Sequence, residues 1–375
     1  MKVLFPIGSF PPAKTAGAGI FLYSTTKGLH TTGKTENYIV STETDLDSET
    51  ARDTWFKNEC GNVIFCKIRI HYLAYNMVRT AVKLLKKVDI VHLNGLFYPP
   101  SMMIALFAYM HNKKIIWSVH GSLYKEALLY SSGKKKLFLF LIKRLKRKVF
   151  FHATSDPEYK LIKEKLSSKN KIINIPIFMD SASNEPEYKL NPQPYFLFVG
   201  RIAEIKLLDV LIEAFAQSDY FRNSTFSFKI VGNPDNPYGQ KLKAKANELK
   251  LDHKIEFVGD ARGKVKDELF KNAYFTFLVS KSENFGMVVL ESLREGTPVI
   301  ASHGTPWQQL DETQAGFWID NSEKSLSDII DKTIHLEEDN YKNYRKNALA
   351  MFADNFDINK NINNWIEEYQ NCLNN

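Results

Sequence analysis

Short apolar runs alternate with stretches of helical periodicity along most of the chain, the pattern of parallel strands joined by crossover helices. In the first half the runs predict strands over residues 3–7, 37–41, 63–68, 90–93, 115–119 and 149–154, with helices between most of them. From Lys189 to Pro194 the text turns polar and proline-bearing, and a new apolar run begins at Tyr195. That shift predicts a linker with a boundary close to Asn191. Beyond it the pattern predicts strands over 195–199, 226–231, 254–258, 275–279, 298–301 and 316–318, with helices near 207–217, 239–249, 265–271 and 288–295. The tail from about Ser325 is helical and carries Tyr341, Tyr344, Phe352, Phe356, Trp365 and Tyr369.

The expected organisation is α/β in tandem, with domains over 1–190 and 191–355 and a C-terminal helix over 356–375 packing back towards the first. Two such layers leave a cleft, and ligands of open parallel sheets bind beyond the carboxyl ends of the strands. A length of 375 residues agrees, because single cores rarely keep growing past about 250–300 residues. With 44% hydrophobic residues there is ample material for two cores, which excludes a disordered chain.

Other classes fall away on composition. The apolar stretch before Pro11 and Pro12 is too short for a signal-peptide core or a membrane span, and the most apolar later candidate, 137–151, is interrupted by five basic residues. The expected location is cytoplasmic. Cys60, Cys66 and Cys372 are odd in number and lack zinc-site or disulfide spacing, so they read as ordinary thiols.

The net charge of +8 is concentrated in one place. Lys134, Lys135, Lys136, Lys143, Arg144, Lys146, Arg147 and Lys148 occur with no acid among them, equalling the whole excess. At helical spacing Leu137, Phe138, Leu141, Ile142, Leu145 and Val149 share one face and the later cations the other. A core-packed helix with a solvated basic face explains the apolar stripe, but not eight cations without an acid. The expected use is attraction to an anionic membrane surface, on the inner face of the cell membrane, or to a phosphate-linked acceptor. Nucleic acid is not an expected partner, since no nucleic-acid module is recognisable and charge elsewhere is balanced.

The segment SENFGMVVLESLREGTPVIAS, Ser282 to Ser302, carries the most chemistry. Asn284, Phe285 and Gly286 form a turn after a strand, and Met287 opens a helix whose first amides can donate to a phosphate or sugar hydroxyl. Gly286 allows a ligand close to the main chain. Glu291, about one turn into the helix, can accept two ribose hydroxyls, and Glu283 can receive hydroxyls of a transferred sugar. In FVGRIAEIKLLDVLIEAF, Arg201 and Lys206 lie between a strand and a helix, where two fixed cations suit a diphosphate leaving group. Gly17 and Gly19 follow the first strand and a proline-rich loop, and a helix is expected from Ile20 to His30. Leu22 stands where a dinucleotide fingerprint has its third glycine, and no clear acid ends the second strand, which argues against NAD. His120 ends a predicted strand ahead of Gly121, facing the carboxyl edge of the sheet. Trp307, in GTPWQQL, either stacks on a base or packs.

These motifs resemble those of retaining glycosyltransferases of family 4, from the first glycine loop to the C-terminal helices. The resemblance implies the GT-B architecture, two Rossmann-like domains with parallel sheets facing across a cleft. It implies a nucleotide-diphosphate sugar as donor and a glycan or lipid-linked acceptor, with no cofactor and no metal. Arg201 and Lys206 would grip the diphosphate, His120 and Glu283 would orient the sugar, and Gly17 and Gly19 would close over donor or acceptor. The family commonly has glycine after the lysine, where this chain has Leu207. A role in bacterial surface polysaccharide synthesis, O-antigen or capsule, is implied in turn. The alternatives are a nucleotide-sugar epimerase or sugar phosphorylase of similar fold, the latter lacking a recognisable cofactor lysine, and a non-catalytic sugar-binding protein.

Overall fold

The computed structural model describes residues 1–13, 17–68, 74–129, 132–145, 148–166, 171–182 and 193–375. The chain divides into two units, one formed by Met1–Asp180 with Asp357–Asn375 and the other by Ser181–Phe356. The division falls ten residues before the boundary expected at Asn191, because Ser181 and Ala182 already line a depression of the second unit with Lys264 and Asp267. Most of the polar linker lies outside the described residues.

The first unit holds strands β1 (Lys2–Ile7), β2 (Glu36–Thr42), β3 (Phe56–Asn58), β4 (Gly61–Cys66), β5 (Ile90–Asn94), β6 (Lys114–Ser118), β7 (Val149–Ala153) and β8 (Ile172–Asn174). They form one sheet in the order β3-β4-β2-β1-β5-β6-β7-β8, parallel except for β3. Such strands are covered on both faces, which is why β5 and β7 read as unbroken buried runs. β3 and β8 escape the sequence reading: each is three residues long at a sheet edge, too short to show a period.

The second unit holds β9 (Tyr195–Val199), β10 (Ser227–Val231), β11 (Ile255–Gly259), β12 (Phe275–Leu278), β13 (Val299–Ser302) and β14 (Gly316–Ile319). Their order is β11-β10-β9-β12-β13-β14, all parallel. This is the doubly wound Rossmann order, which reverses between the first and fourth strands in sequence, here β9 and β12. Each unit has its own core, around Trp117 and Phe151 in one and around Phe196, Phe215 and Phe277 in the other.

The last residues are counted with the first unit. Ile358 lies so close to Gly28 that a Cβ there would come within 2.7 Å of its side chain, and the Ile358 amide donates to Met179. The helix Asn363–Asn374 buries Trp365 and Tyr369 completely against the same unit. All three cysteines are buried and free, and burial pushes the Cys60 and Cys66 thiols up to about 11.

Candidate active site

At the switch point of the second unit, the loops after β9 and β12 emerge side by side. Residues far apart in sequence therefore meet: the Lys281 amide and the Ser280 hydroxyl both donate to the Ile205 carbonyl, at 2.9 and 3.0 Å. Lys206 ends a short 3-10 turn, Glu204–Lys206, and its ammonium pairs with the Glu283 carboxylate, both side chains largely covered. Arg201, from the same loop, is exposed.

Leu207 adopts the left-handed conformation, φ 49° and ψ 34°, as it starts the helix Leu208–Gln217. The geometry suited to glycine is thus retained by a leucine, at about 1–2 kcal/mol of backbone strain. Burial of its side chain among Leu208, Leu211 and Ile212 offsets that cost.

Gly286 has φ 84° and caps the helix Met287–Arg294. A Cβ there would lie 2.6 Å from Leu278, so no other residue fits without a shift. The amides at this helix start have no intrahelical acceptor. Trp307 settles one open alternative: it is 3% exposed, donates to the Phe285 carbonyl and packs edge-on against Phe285 and Phe356. It props the Asn284–Phe285–Gly286 turn from behind. Glu291 has a partner the sequence reading missed, the Lys266 ammonium, 2.6 Å away. Lys266 lies in Gly263–Lys271, where a lysine among lysines gives no signal of its own. The two glutamates of the motif are thus each held by a separate lysine.

In the first unit, His120 follows β6 with φ 50°, and its Nε2 lies 2.9 Å from Asn94 Oδ1 at the end of β5. An amide oxygen only accepts, so Nε2 carries the proton and Nδ1 the lone pair. Desolvation, with a smaller contribution from His152, holds the imidazole neutral and pulls its pKa down to about 3. The Phe21 ring meets it edge-on at 4.9 Å. Gly17 and Gly19 lie inside the helix Gly17–Thr31, not in a loop before it, and Gly19 is buried. The helix starts earlier than expected because glycine is tolerated in a first turn whose amides are unpaired in any case; residues 14–16, just before it, lie outside the described residues.

The basic segment differs from expectation. Its helix runs Ser132–Arg144 and stops there, and Val149 opens β7 instead of extending the stripe. Ile142 and Leu145 are buried and Phe138 and Leu141 partly so, but Leu137 is 58% exposed. At 100° per residue a face centred on 138, 142 and 145 turns 137 and 140 outward. Phe140, 52% exposed, carries the Arg144 guanidinium over its ring at 4.5 Å. Lys136, Lys143 and Arg144 are exposed, whereas Lys135 donates to the Ala127 carbonyl and Lys148 to Asn112. Lys146, Arg147 and the Lys134 side chain lie outside the described residues. Among the described residues no helix is long and apolar enough to cross a membrane, and no three His, Cys, Asp or Glu are grouped to hold a metal ion.

Two α/β units with parallel-dominated sheets, the second presenting paired lysines and glutamates at its switch point, define the class: a glycosyltransferase of GT-B architecture. Residues 181–351, within the second unit, match the model of the family Glycosyl transferases group 1. Among relatives, GDP-mannose:cellobiosyl-diphosphopolyprenol alpha-mannosyltransferase of Xanthomonas oryzae pv. oryzae (strain PXO99A) is 23% identical over 307 residues, covering 80% of this chain and 78% of that protein. An uncharacterized 41.2 kDa protein in the cps region of Klebsiella pneumoniae is 26% identical over 313 residues, 77% of this chain and 81% of its own. The crystal structure of Anabaena Alr3699/HepE in complex with UDP and glucose shares the fold, with a TM-score of 0.76 over 99% of both chains at 19% identity.

Proposed function

We propose that the chain is a retaining, family 4 hexosyltransferase that moves a sugar from a nucleotide-diphosphate donor to a glycan or lipid-linked acceptor in bacterial surface polysaccharide synthesis. The Lys206–Glu283 pair beside the Gly286 helix start carries the reading. Arg201, Lys206 and the amides of Phe285, Gly286 and Met287 neutralise the departing diphosphate, so no divalent ion is needed. Glu291 takes the ribose, while Glu283 and His120 orient the sugar. Gly17 and Gly19 serve donor or acceptor. Bond cleavage runs ahead of attack through an oxocarbenium-like state. The relative named for a diphosphopolyprenol acceptor and the one from a cps region support the acceptor class; the neighbour crystallised with UDP and glucose supports a nucleotide-sugar donor.

A thermal-shift screen with UDP, GDP, ADP and their sugar conjugates tests the donor. One nucleotide family is expected to stabilise the protein, by about 2.7 kcal/mol at a hundredfold excess over Kd, and Glu291→Ala is expected to abolish the shift. A shift unchanged by that substitution would remove Glu291 from the site; no shift at all would favour a non-transferase role.

The exposed Lys136, Lys143 and Arg144, interleaved with exposed Leu137 and Phe140, support peripheral attachment to an anionic membrane. Each basic residue near such a surface is worth about 1 kcal/mol. Replacing the three cations with alanine is therefore expected to weaken flotation with anionic liposomes by about 10²-fold. Equal binding to neutral and anionic liposomes by the unaltered protein would reject the attachment.

A further inference from the structure

We infer that Glu158 is a positioning residue for His120, acting through the Gly121 amide; the inference rests on the reading that His120 meets the transferred sugar. His120 and Gly121 are consecutive residues in the left-handed region, at φ 50° and 73°. For a histidine this is a strained backbone, and strain of that kind persists only where neighbours over-determine it. One neighbour is Asn94, which holds the ring. Another is a carboxylate from a different element.

Glu158 lies in the first turn of the helix Asp156–Lys165 and is wholly buried. Its Oε1 accepts from the Gly121 amide at 2.5 Å. Its Oε2 accepts from the Thr154 amide at 2.8 Å and the Thr154 hydroxyl at 3.0 Å. Thr154 follows β7, and the His120 turn follows β6, the adjacent strand. The carboxylate therefore ties together two neighbouring loops at the carboxyl edge of the sheet. Ser155, which caps the helix by accepting from the Glu158 amide, makes the sequence Ser-Asp-Pro-Glu look like an ordinary capping box. In such a box the glutamate reaches back to the cap residue's own amide. Here it reaches past Ser155 to Thr154 and spends its second oxygen on Gly121, a bond that the helix end does not require.

Two oxygens that both accept are needed, which only a carboxylate supplies. Glutamine would set an NH₂ donor against one of the donors, either Gly121 or Thr154, and release the turn. Misplacing a reacting group by about 1 Å can cost 10²-fold in rate.

The test combines a spectrum with a mutant cycle. In protein labelled with ¹⁵N-histidine, the His120 Nε2–H signal, assigned by its loss in His120→Gln, is expected to be sharp in the unaltered chain. It is expected to broaden or vanish in Glu158→Gln; an unchanged signal overturns the inference whatever the substrate. Turnover is read as hydrolysis of UDP-glucose and GDP-mannose. Glu158→Gln is expected to lower kcat by about 10–10²-fold with donor KM little changed, and to cost nothing further in a His120→Ala background. Additive losses would show a general structural role and defeat the proposal. His120→Ala leaving kcat intact would instead defeat the reading beneath it, with the spectrum still deciding what Glu158 does. If Glu158→Gln does not fold, Thr154→Val, which removes only the hydroxyl pinning Oε2, carries the same two readouts with smaller effects.

Discussion

Lys206→Ala is expected to lower kcat for sugar transfer by about 10²–10³-fold, the loss that follows removal of a fixed charge from a developing anion. Lys206 is held at the end of a 3-10 turn and aimed by Glu283, so its ammonium needs no reorganisation when the diphosphate departs. The substitution also leaves Glu283 without its cation at the place where negative charge would build. The effect should therefore fall on kcat more than on donor KM, since a leaving group gains charge only as the bond breaks. On the proposed mechanism, in which the lysine takes the place of a divalent ion, equal losses with and without EDTA are expected. A rate within a few fold of the parent, or activity that returns with magnesium, would contradict this account of the second unit.

The elements of this fold were legible where burial is two-sided and the runs are long enough to show it. β9 matches its predicted span residue for residue, and the β12 strand, the Asn284–Gly286 turn and the Met287 helix appear where the motif places them. What escaped detection depends on partners distant in sequence. Nothing near Glu291 points to Lys266, 25 residues earlier. Nothing near His120 points to Asn94 or Glu158, because strand order, not spacing, brings the ends of β5, β6 and β7 together. Leu207 shows the converse: a leucine stands where the family commonly has glycine, yet the φ that glycine would favour is retained. Amphipathic periodicity likewise located a helix in the basic segment but not its end, which is set by the need to enter β7.

Acid is expected to unfold the first unit well before ordinary carboxylate titration, owing to a chain of buried hydrogen bonds that holds neutral histidines. His152 Nε2 lies 2.8 Å from the Ile175 carbonyl, which can only accept, so His152 Nδ1 must accept from the Ser118 hydroxyl, 2.7 Å away. Ser118 then accepts from His92 Nε2, and His92 Nδ1 accepts from the Tyr369 hydroxyl, both at 2.8 Å. Every proton position follows from the last carbonyl, and an extra proton on either ring would face a group that already donates. Burial, the dominant cause in each case, holds His152 at about 4 and His120 at about 3, and keeps His92 well below its ordinary value. The unfolded chain takes up these protons near pH 6.5. Below that value it binds more protons than the folded chain, so stability is fully present above about pH 6.5 and is lost as pH falls towards 4. Three such groups give a slope of about 4 kcal/mol per pH unit once all are protonated in the unfolded state. Hydrogen exchange at the β5, β6 and β7 amides from pH 7 to 4.5 would measure it. His152→Gln should be less stable at pH 7 and lose about a third of the slope; a slope that stays whole would mean that the acid sensitivity arises elsewhere than in this chain.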